Sequence, residues 1–144
     1  MTATHDWTPP RHDRVRKHSP EAVNRRIDEQ IAGQLAEIGL SAHAIRKRLD
    51  QIDREWNLDR ALMAVSSVLG AFTAHRSMAA ARDGHSLIPW RLVFWTQAAF
   101  LLHHAVRGWS PPASILRRIG FRTDKEIAAE RVILEKRLTL SDGL

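Results

Sequence analysis

The sequence contains no cysteine and no tyrosine among its 144 residues. Without cysteine there are no disulfide bridges, thiolate zinc sites, iron–sulfur clusters or cysteine nucleophiles. The seven glycines are scattered and form neither a GxGxxG nor a GxxxxGK[ST] motif, so the sequence offers no phosphate-binding loop. These absences argue against nucleotide binding and thiol redox chemistry.

Charge is scarce in the middle of the chain. Residues 1–60 hold 11 basic and 10 acidic side chains. Residues 61–110 hold four basic and one acidic side chain, and residues 111–144 hold seven basic and five acidic side chains. The net charge of +6 is therefore not concentrated in one basic tract. The length suits a single domain, so the main feature to explain is an apolar insert inside a strongly charged chain.

The amino-terminal region predicts an arm followed by two amphipathic helices. Residues 1–18 mix threonine, histidine, proline and arginine without periodicity and are interpreted as a disordered basic arm. They contain no apolar run, so we expect no signal peptide and a cytoplasmic start. Residues 19–56 carry two apolar stripes with spacings of three and four, separated at Gly39. This pattern predicts an αα-hairpin with helices over about 20–38 and 41–56.

Residues 57–112 predict a second helical hairpin, apolar on nearly all sides. Its helices are expected over about 58–82 and 86–107, and the Asp-Gly dipeptide between them is a strong turn signal. A Gly-Trp-Ser-Pro-Pro segment follows and ends the second helix, because two prolines cannot continue it.

The remaining residues, 113–140, predict a short helix over 113–118 and an amphipathic helix over about 124–138. The second of these begins with a capping box formed by Thr123 and Glu126. No stretch shows the alternation of a strand. The fold is therefore predicted to be all-α, with an amphipathic N-terminal helix hairpin, a central apolar helix hairpin and a short C-terminal amphipathic helix.

The apolar hairpin fits a membrane and the core of a soluble bundle equally well. Arg76 and Arg91 both lie toward the turn, where they can reach the same membrane interface. Trp56 and Trp109 flank the open end and Trp90 lies near the turn, as in two interfacial belts. These five residues are the predicted interfacial anchors. A helix that is apolar all round is, however, also typical of a buried soluble helix.

Three small residues predict close packing of helices. Ser66, Gly70 and Ala74 recur every four residues along one helix of the apolar hairpin. Small side chains at this spacing let two backbones approach closely, as they do in transmembrane dimers. They also line soluble helix contacts. We expect this face to support self-association into a homo-oligomer.

The main basic cluster outside the arm consists of Arg46, Lys47 and Arg48. These side chains could contact anionic lipid headgroups, at about 1 kcal/mol for each basic residue near the surface, or nucleic acid. Asp50 and Asp53 reduce the net field of the same helix, which favours the membrane surface. More basic residues flank the open end of the hairpin than its turn, which predicts that both termini are cytoplasmic.

The candidate chemical groups have simpler structural interpretations. His103 and His104 point about 100° apart on a helix, whereas helical metal sites use spacings of three or four. We expect this pair to hydrogen-bond with residues 107–112 or with lipid headgroups. Glu126 belongs to the capping box, and Glu130 suits a solvated face with ion pairs. We predict no catalytic residues, no metal, no cofactor and no identifiable small-molecule substrate.

Five short runs are distinctive: NRRID at 24–28, DREWNLDRA at 53–61, LLHHAVRGWSPP at 101–112, LRRIGFRT at 116–123 and EIAAER at 126–131. Together they resemble a family of small bacterial proteins of unknown function that carry the YgaP-like inner-membrane domain, a two-helix hairpin also found fused to rhodaneses. The resemblance spans residues 23–138. It implies a membrane-associated hairpin and no transferable catalytic residues. Relatives often carry cysteine where this chain has Ser110, and their hairpins are less polar.

Two hypotheses follow. The first is a non-enzymatic, membrane-associated helical protein whose hairpin is inserted in, or lies on, the bacterial inner membrane, with the lipid bilayer and further copies of itself as partners. The alternative is a soluble, cytoplasmic helical oligomer that acts as a protein- or nucleic-acid-binding module. Partition between membrane, cytosol and nucleoid would separate them.

Overall fold

The computed structural model describes residues 6–84 and 88–142. Within these ranges every regular element is a helix, so the all-α prediction is confirmed. The helices are α1 (Arg14–Lys17), α2 (Glu21–Ile38), α3 (Ala42–Arg54), α4 (Leu58–Asp83), α5 (Trp90–Arg107), α6 (Pro111–Ile119) and α7 (Asp124–Asp142).

Most helix ends lie where the sequence predicts them. The Ser41 hydroxyl accepts a hydrogen bond from the backbone of α3, and the Asn57 side chain does the same for α4. Gly84 ends α4 with φ of 67°, the left-handed conformation that favours glycine. Helix α6 begins two residues earlier than predicted, at Pro111. Proline is tolerated in a first turn, because the backbone N–H groups there have no partner within the helix.

Helices α2, α3 and α7 surround one of two apolar clusters. The predicted stripes of α2 and α3 point into it, and α7 completes it. Each leucine or isoleucine buried here contributes about 1.5–3 kcal/mol relative to an exposed side chain. The fully or nearly fully buried members are Ile27, Ile31, Leu35, Ile45, Ile52 and Leu134.

The other apolar cluster joins α1, the first turns of α4, and α6. Trp109 and Phe121 pack against its edge. We call the two clusters and the helices around them the body, and the pair α4 and α5, apart from the three α4 residues in the second cluster, the hairpin. The members of this second cluster are Val15, Leu58, Ala61, Leu62, Ala113 and Leu116.

The amino-terminal segment from residue 6 onward is part of the body. The Trp7 indole donates a hydrogen bond to Asp28 of α2 at 3.0 Å, and the buried Asp13 caps α1. The prediction of a disordered arm over residues 1–18 is therefore wrong for residues 6–18, while the first five residues lie outside the described part of the chain. The segment lacks local periodicity because its contacts are with distant parts of the sequence.

The hairpin is formed by α4 and α5, which pack against each other along their length. Helix α4 has 26 residues and is about 39 Å long at 1.5 Å per residue. None of the described helices combines the length and apolar character needed to cross a bilayer, so the predicted transmembrane hairpin is not supported. Charged side chains such as Arg76 in α4 and Arg91 in α5 interrupt the apolar runs.

Candidate functional site on the hairpin

Large apolar side chains cover both helices of the hairpin and are exposed to solvent. The accessible surface of the chain is 9996 Å² for 16.4 kDa, whereas a compact monomer of this mass exposes about 7,500 Å². Large exposed apolar side chains that are grouped on one part of a protein are typical of a site that binds a membrane or another protein. The most exposed of these side chains are Met63, Val68, Met78, Leu92, Trp95, Leu102 and Val106.

Five arginines of the hairpin are exposed and have no acidic partner among the described side chains. Two of them lie instead over tryptophan rings, which is a favourable cation–π contact. Arg60 lies 5.3 Å from the Trp56 ring centroid, and Arg76 lies 5.4 Å from that of Trp90. The five arginines are Arg60, Arg76, Arg82, Arg91 and Arg107.

The predicted small-residue face lies inside the hairpin. The Gln97 amide nitrogen of α5 donates a hydrogen bond to the Ser66 carbonyl at 2.6 Å. A Cβ atom on Gly70 would come within 3.1 Å of the same nitrogen. Ala74 is half-buried on this stripe, and Thr73 beside it is fully buried. These residues bring α4 and α5 of one chain together, so they do not form a free face for a second copy.

Substitution of Gly70 by leucine should therefore destabilise the hairpin itself. The larger side chain must displace Gln97, and overpacking of this kind costs about 1–3 kcal/mol. Urea unfolding and amide hydrogen exchange of α5 would measure the loss. Ala71→Leu is the matched control, because Ala71 is exposed on the same helix. Equal stability of the two variants would contradict the assigned packing.

The predicted tryptophan anchors lie in different surroundings. Trp56 is 51% exposed, and Trp90 is half-buried near the turn. Trp109 stacks on His18 with ring centroids 4.3 Å apart, and His103 meets it edge-on at 5.4 Å. Trp109 packs against the body, and its role as an interfacial anchor stays a prediction.

His104 links three helices at the base of the hairpin. Its Nε2 lies 3.1 Å from the Asp59 carboxylate of α4, and its Nδ1 lies 3.3 Å from the hydroxyl of Ser110, which precedes α6. The expected hydrogen bond to residues 107–112 is thus confirmed for His104. A carboxylate accepts only, so Nε2 carries a proton, and in the neutral ring Nδ1 accepts from Ser110.

The order of carboxylate, imidazole and hydroxyl matches that of a nucleophilic triad. Acyl transfer also needs hydrogen-bond donors for the oxyanion, and the two residues that follow Ser110 are prolines, which have no N–H. Ser110 is also only 1% exposed. We therefore interpret this arrangement as a structural link between the hairpin and the body.

The three residues of the basic cluster predicted on α3 do not share one surface. Arg46 is exposed and lies 3.2 Å from Asp142, and Lys47 is exposed. Arg48 turns inward and donates to Glu130 at 2.8 Å. The prediction that Arg48 contacts headgroups or nucleic acid is therefore wrong, because a buried carboxylate already binds it.

Glu126 is at the centre of a buried charge network. Its carboxylate accepts from Arg117 and Arg16, and Arg16 also binds Asp28 at 2.7 Å. We call Arg16, Asp28, Arg117 and Glu126 the first quartet, which contains two positive and two negative charges. Glu126 and Arg117 are both 0% exposed, and the quartet connects α1, α2, α6 and α7.

Burial alone would raise the Glu126 pKa. The hydrogen bonds and charge of Arg117, with further contributions from the Thr123 backbone and Arg16, outweigh this effect and lower the pKa below its ordinary value. The predicted capping box is confirmed, since the Thr123 N–H donates to Glu126 at 3.0 Å and the Glu126 N–H donates to the Thr123 hydroxyl at 3.3 Å. Glu126 therefore caps α7 and also balances the buried arginines.

Glu130, one turn further along α7, repeats this arrangement. It is 0% exposed and binds Arg48 and Arg122, and Arg122 also lies 3.3 Å from Glu55. These four residues form the second quartet. The prediction of a solvated face at Glu130 is wrong, because its carboxylate is buried and binds Arg48 of α3 and Arg122 of the segment that precedes α7.

No family model, curated protein or solved structure matches the chain. The resemblance to the YgaP-like domain therefore stays a prediction. Within the described ranges, no three or more histidine, aspartate and glutamate side chains are grouped in a way that could hold a metal ion. The exposed apolar side chains and arginines make the surface of the hairpin the candidate functional site.

Proposed function

We propose that this protein is non-enzymatic and docks on an anionic membrane through its hairpin, while the body stays in water. The observation that supports this is the combination of exposed apolar side chains and exposed arginines on the same two helices. Apolar side chains gain free energy on contact with acyl chains, and each arginine near anionic headgroups adds about 1 kcal/mol.

The distribution of arginine partners favours an anionic surface over a neutral one. Arginines of the body, such as Arg16, Arg48 and Arg117, bind carboxylates of the same chain. The five hairpin arginines have no such partner among the described side chains, and the hairpin sequence 58–107 contains only two acidic residues. An external anion would therefore balance the positive charge of these five arginines.

The two tryptophan–arginine contacts suggest how the hairpin lies on the membrane. The pair Arg60 and Trp56 lies at its open end, and the pair Arg76 and Trp90 lies toward the turn. The two arginines are about 24 Å apart along α4. Tryptophan and arginine favour headgroup depth, so both ends would remain there while the apolar residues between them contact acyl chains.

Both described chain ends lie on the body. Asp6 forms an ion pair with Arg137, and Asp142 forms one with Arg46. A hairpin that docks from one side would keep both ends on that side. With the excess of basic residues around the open end, this supports a location at the bacterial inner membrane with both termini cytoplasmic.

Vesicle flotation tests the proposal. We expect the chain to float with vesicles that contain phosphatidylglycerol and to bind pure phosphatidylcholine much more weakly. The variant Val68→Glu/Trp95→Glu should lose binding, because these side chains are 73% and 66% exposed on the hairpin. The control Leu40→Glu/Val132→Glu adds the same charge at exposed positions of the body and should float normally.

Self-association through the hairpin is the second candidate, because the same exposed apolar side chains would be covered if hairpins of two copies packed together. Sedimentation velocity without lipid measures this directly. A discrete oligomer that does not float with anionic vesicles, and that Val68→Glu/Trp95→Glu dissociates, would favour a soluble oligomer and contradict membrane docking.

A further inference from the structure

Helix α6 carries apolar side chains on its outer face as well as on its inner face. Ala113 and Leu116 face inward and are buried in the second apolar cluster. Ile115 and Ile119 lie one turn apart on the side that faces away from this cluster, and they are 59% and 70% exposed. These two isoleucines contribute little to folding, because most of their surface stays in water.

The outer face of α6 is continuous with the hairpin. An apolar cleft of about 180 Å³ lies between α4, α5 and α6. Ile115 lines it from α6, and Val65 and Leu69 line it from α4. All three side chains are exposed, so a single partner could cover those of α6 and those of the hairpin together.

Two arginines lie beside the exposed isoleucines of α6. Arg118 belongs to the last turn of the helix and is exposed. Arg26 of α2 is also exposed and donates a hydrogen bond to the Arg118 carbonyl at 2.8 Å. Neither arginine has a carboxylate partner among the described side chains. Helix α6 thus repeats the combination of exposed apolar side chains and unpaired arginines that the hairpin carries, which favours an anionic membrane over a neutral protein surface as the partner.

We propose that α6 is a second membrane contact. Ile115 and Ile119 would enter the acyl region of the bilayer that the hairpin binds, while Arg118 and Arg26 reach its anionic headgroups. Amphipathic helices that lie in a membrane interface combine these two kinds of side chain. This inference rests on the proposed docking of the hairpin and adds one helix of the body to it, while the rest of the body stays in water.

Fluorescent labels on single cysteines test the contact. The chain has no cysteine of its own, so the full-length variants Ile119→Cys, Val68→Cys and Leu40→Cys can each be labelled at one site with an NBD dye. The emission of this dye rises in an apolar environment. With phosphatidylglycerol vesicles we expect a rise for Ile119→Cys and Val68→Cys, and quenching of both by lipids that carry a spin label on the acyl chain. Leu40 is 57% exposed elsewhere on the body, and its label should not respond.

The affinity for vesicles provides a second measurement. Ile115→Gln/Ile119→Gln should weaken binding to phosphatidylglycerol vesicles on the order of tenfold, because two exposed isoleucines no longer enter the acyl region. The matched control Leu40→Gln/Val132→Gln removes exposed apolar side chains from other parts of the body and should bind normally. Equal affinities of the two variants would contradict the contact.

The labels separate this inference from the proposed docking. A response of Val68→Cys without one of Ile119→Cys would overturn the contact of α6 and leave the docking of the hairpin intact. No response of either label would overturn both proposals. A rise for Ile119→Cys that needs no lipid and grows with protein concentration would mean that a second copy of the chain covers α6, and would overturn the bilayer as its partner.

Discussion

Replacement of Glu126 by glutamine should lower the free energy of unfolding by about 3–5 kcal/mol. Removing one partner of a buried ion pair leaves the other charge buried without compensation, and Arg117 is 0% exposed. A loss of this size is a large fraction of the total stability of a typical domain, about 5–15 kcal/mol. The variant is therefore expected to be only marginally folded at room temperature.

Urea unfolding followed by far-ultraviolet circular dichroism measures this loss. Glu135→Gln is the matched control, because Glu135 is exposed on the same helix, and it should change stability by less than about 0.5 kcal/mol. If Glu126→Gln were no more destabilising than Glu135→Gln, the first quartet would not hold the body together.

The same contacts predict how stability depends on acid. The folded-state pKa of Glu126 is lowered, so its contribution is fully present above the unfolded value, about 4.3. It is lost as the pH falls from there through the folded-state pKa. As the pH falls through this range, the free energy of unfolding of the native protein should therefore decrease more than that of the Glu126→Gln variant. The difference in stability between the two proteins should shrink accordingly.

Replacement of Arg76, Arg82 and Arg91 by glutamine should weaken binding to anionic vesicles by on the order of 100-fold. Each basic residue near such a surface contributes about 1 kcal/mol, and three of them give a change of about two powers of ten. The fold should be preserved, because these side chains are exposed and have no carboxylate partner among the described residues. Vesicle titration at fixed ionic strength measures the affinity.

The control must remove the same charge from the body. Arg25, Lys47 and Lys136 are exposed there, and their triple glutamine variant should retain most of the affinity. If both triple variants lost affinity equally, net charge rather than the hairpin would determine binding, and the proposed docking surface would be wrong.

The course of the helices could be predicted from local patterns. Apolar residues at spacings of three and four mark the buried faces of α2 and α3, and the Asn57 cap and Gly84 mark the ends of α4. The Asp-Gly dipeptide and the small residues around Gly70 indicate two closely packed helices, as observed for α4 and α5. These signals depend on neighbours within a few residues, which is why the sequence alone reveals them.

The charged interior could not be predicted in the same way. Glu130 has basic neighbours on its own helix, which is typical of a solvated face, but its carboxylate binds Arg48, which lies 82 residues away on α3, and Arg122, which precedes α7. The sequence does not reveal the contacts of the amino-terminal segment for the same reason, since Trp7 donates a hydrogen bond to Asp28 across 21 residues. Pairings between distant charges leave no local periodicity to read.

The two quartets and the apolar residues together give α7 a single position along its axis. If the helix slid by one turn, Leu138 would enter the place of Leu134, and one leucine would simply replace another in the core. Leu134 would then take the place of Glu130, leaving Arg48 and Arg122 without a shared carboxylate. Arg131 would also enter the place of Ile127, which packs against the same apolar cluster. The slipped arrangement would therefore lose apolar contacts as well as charge compensation, so the buried carboxylates and the apolar residues select the same register.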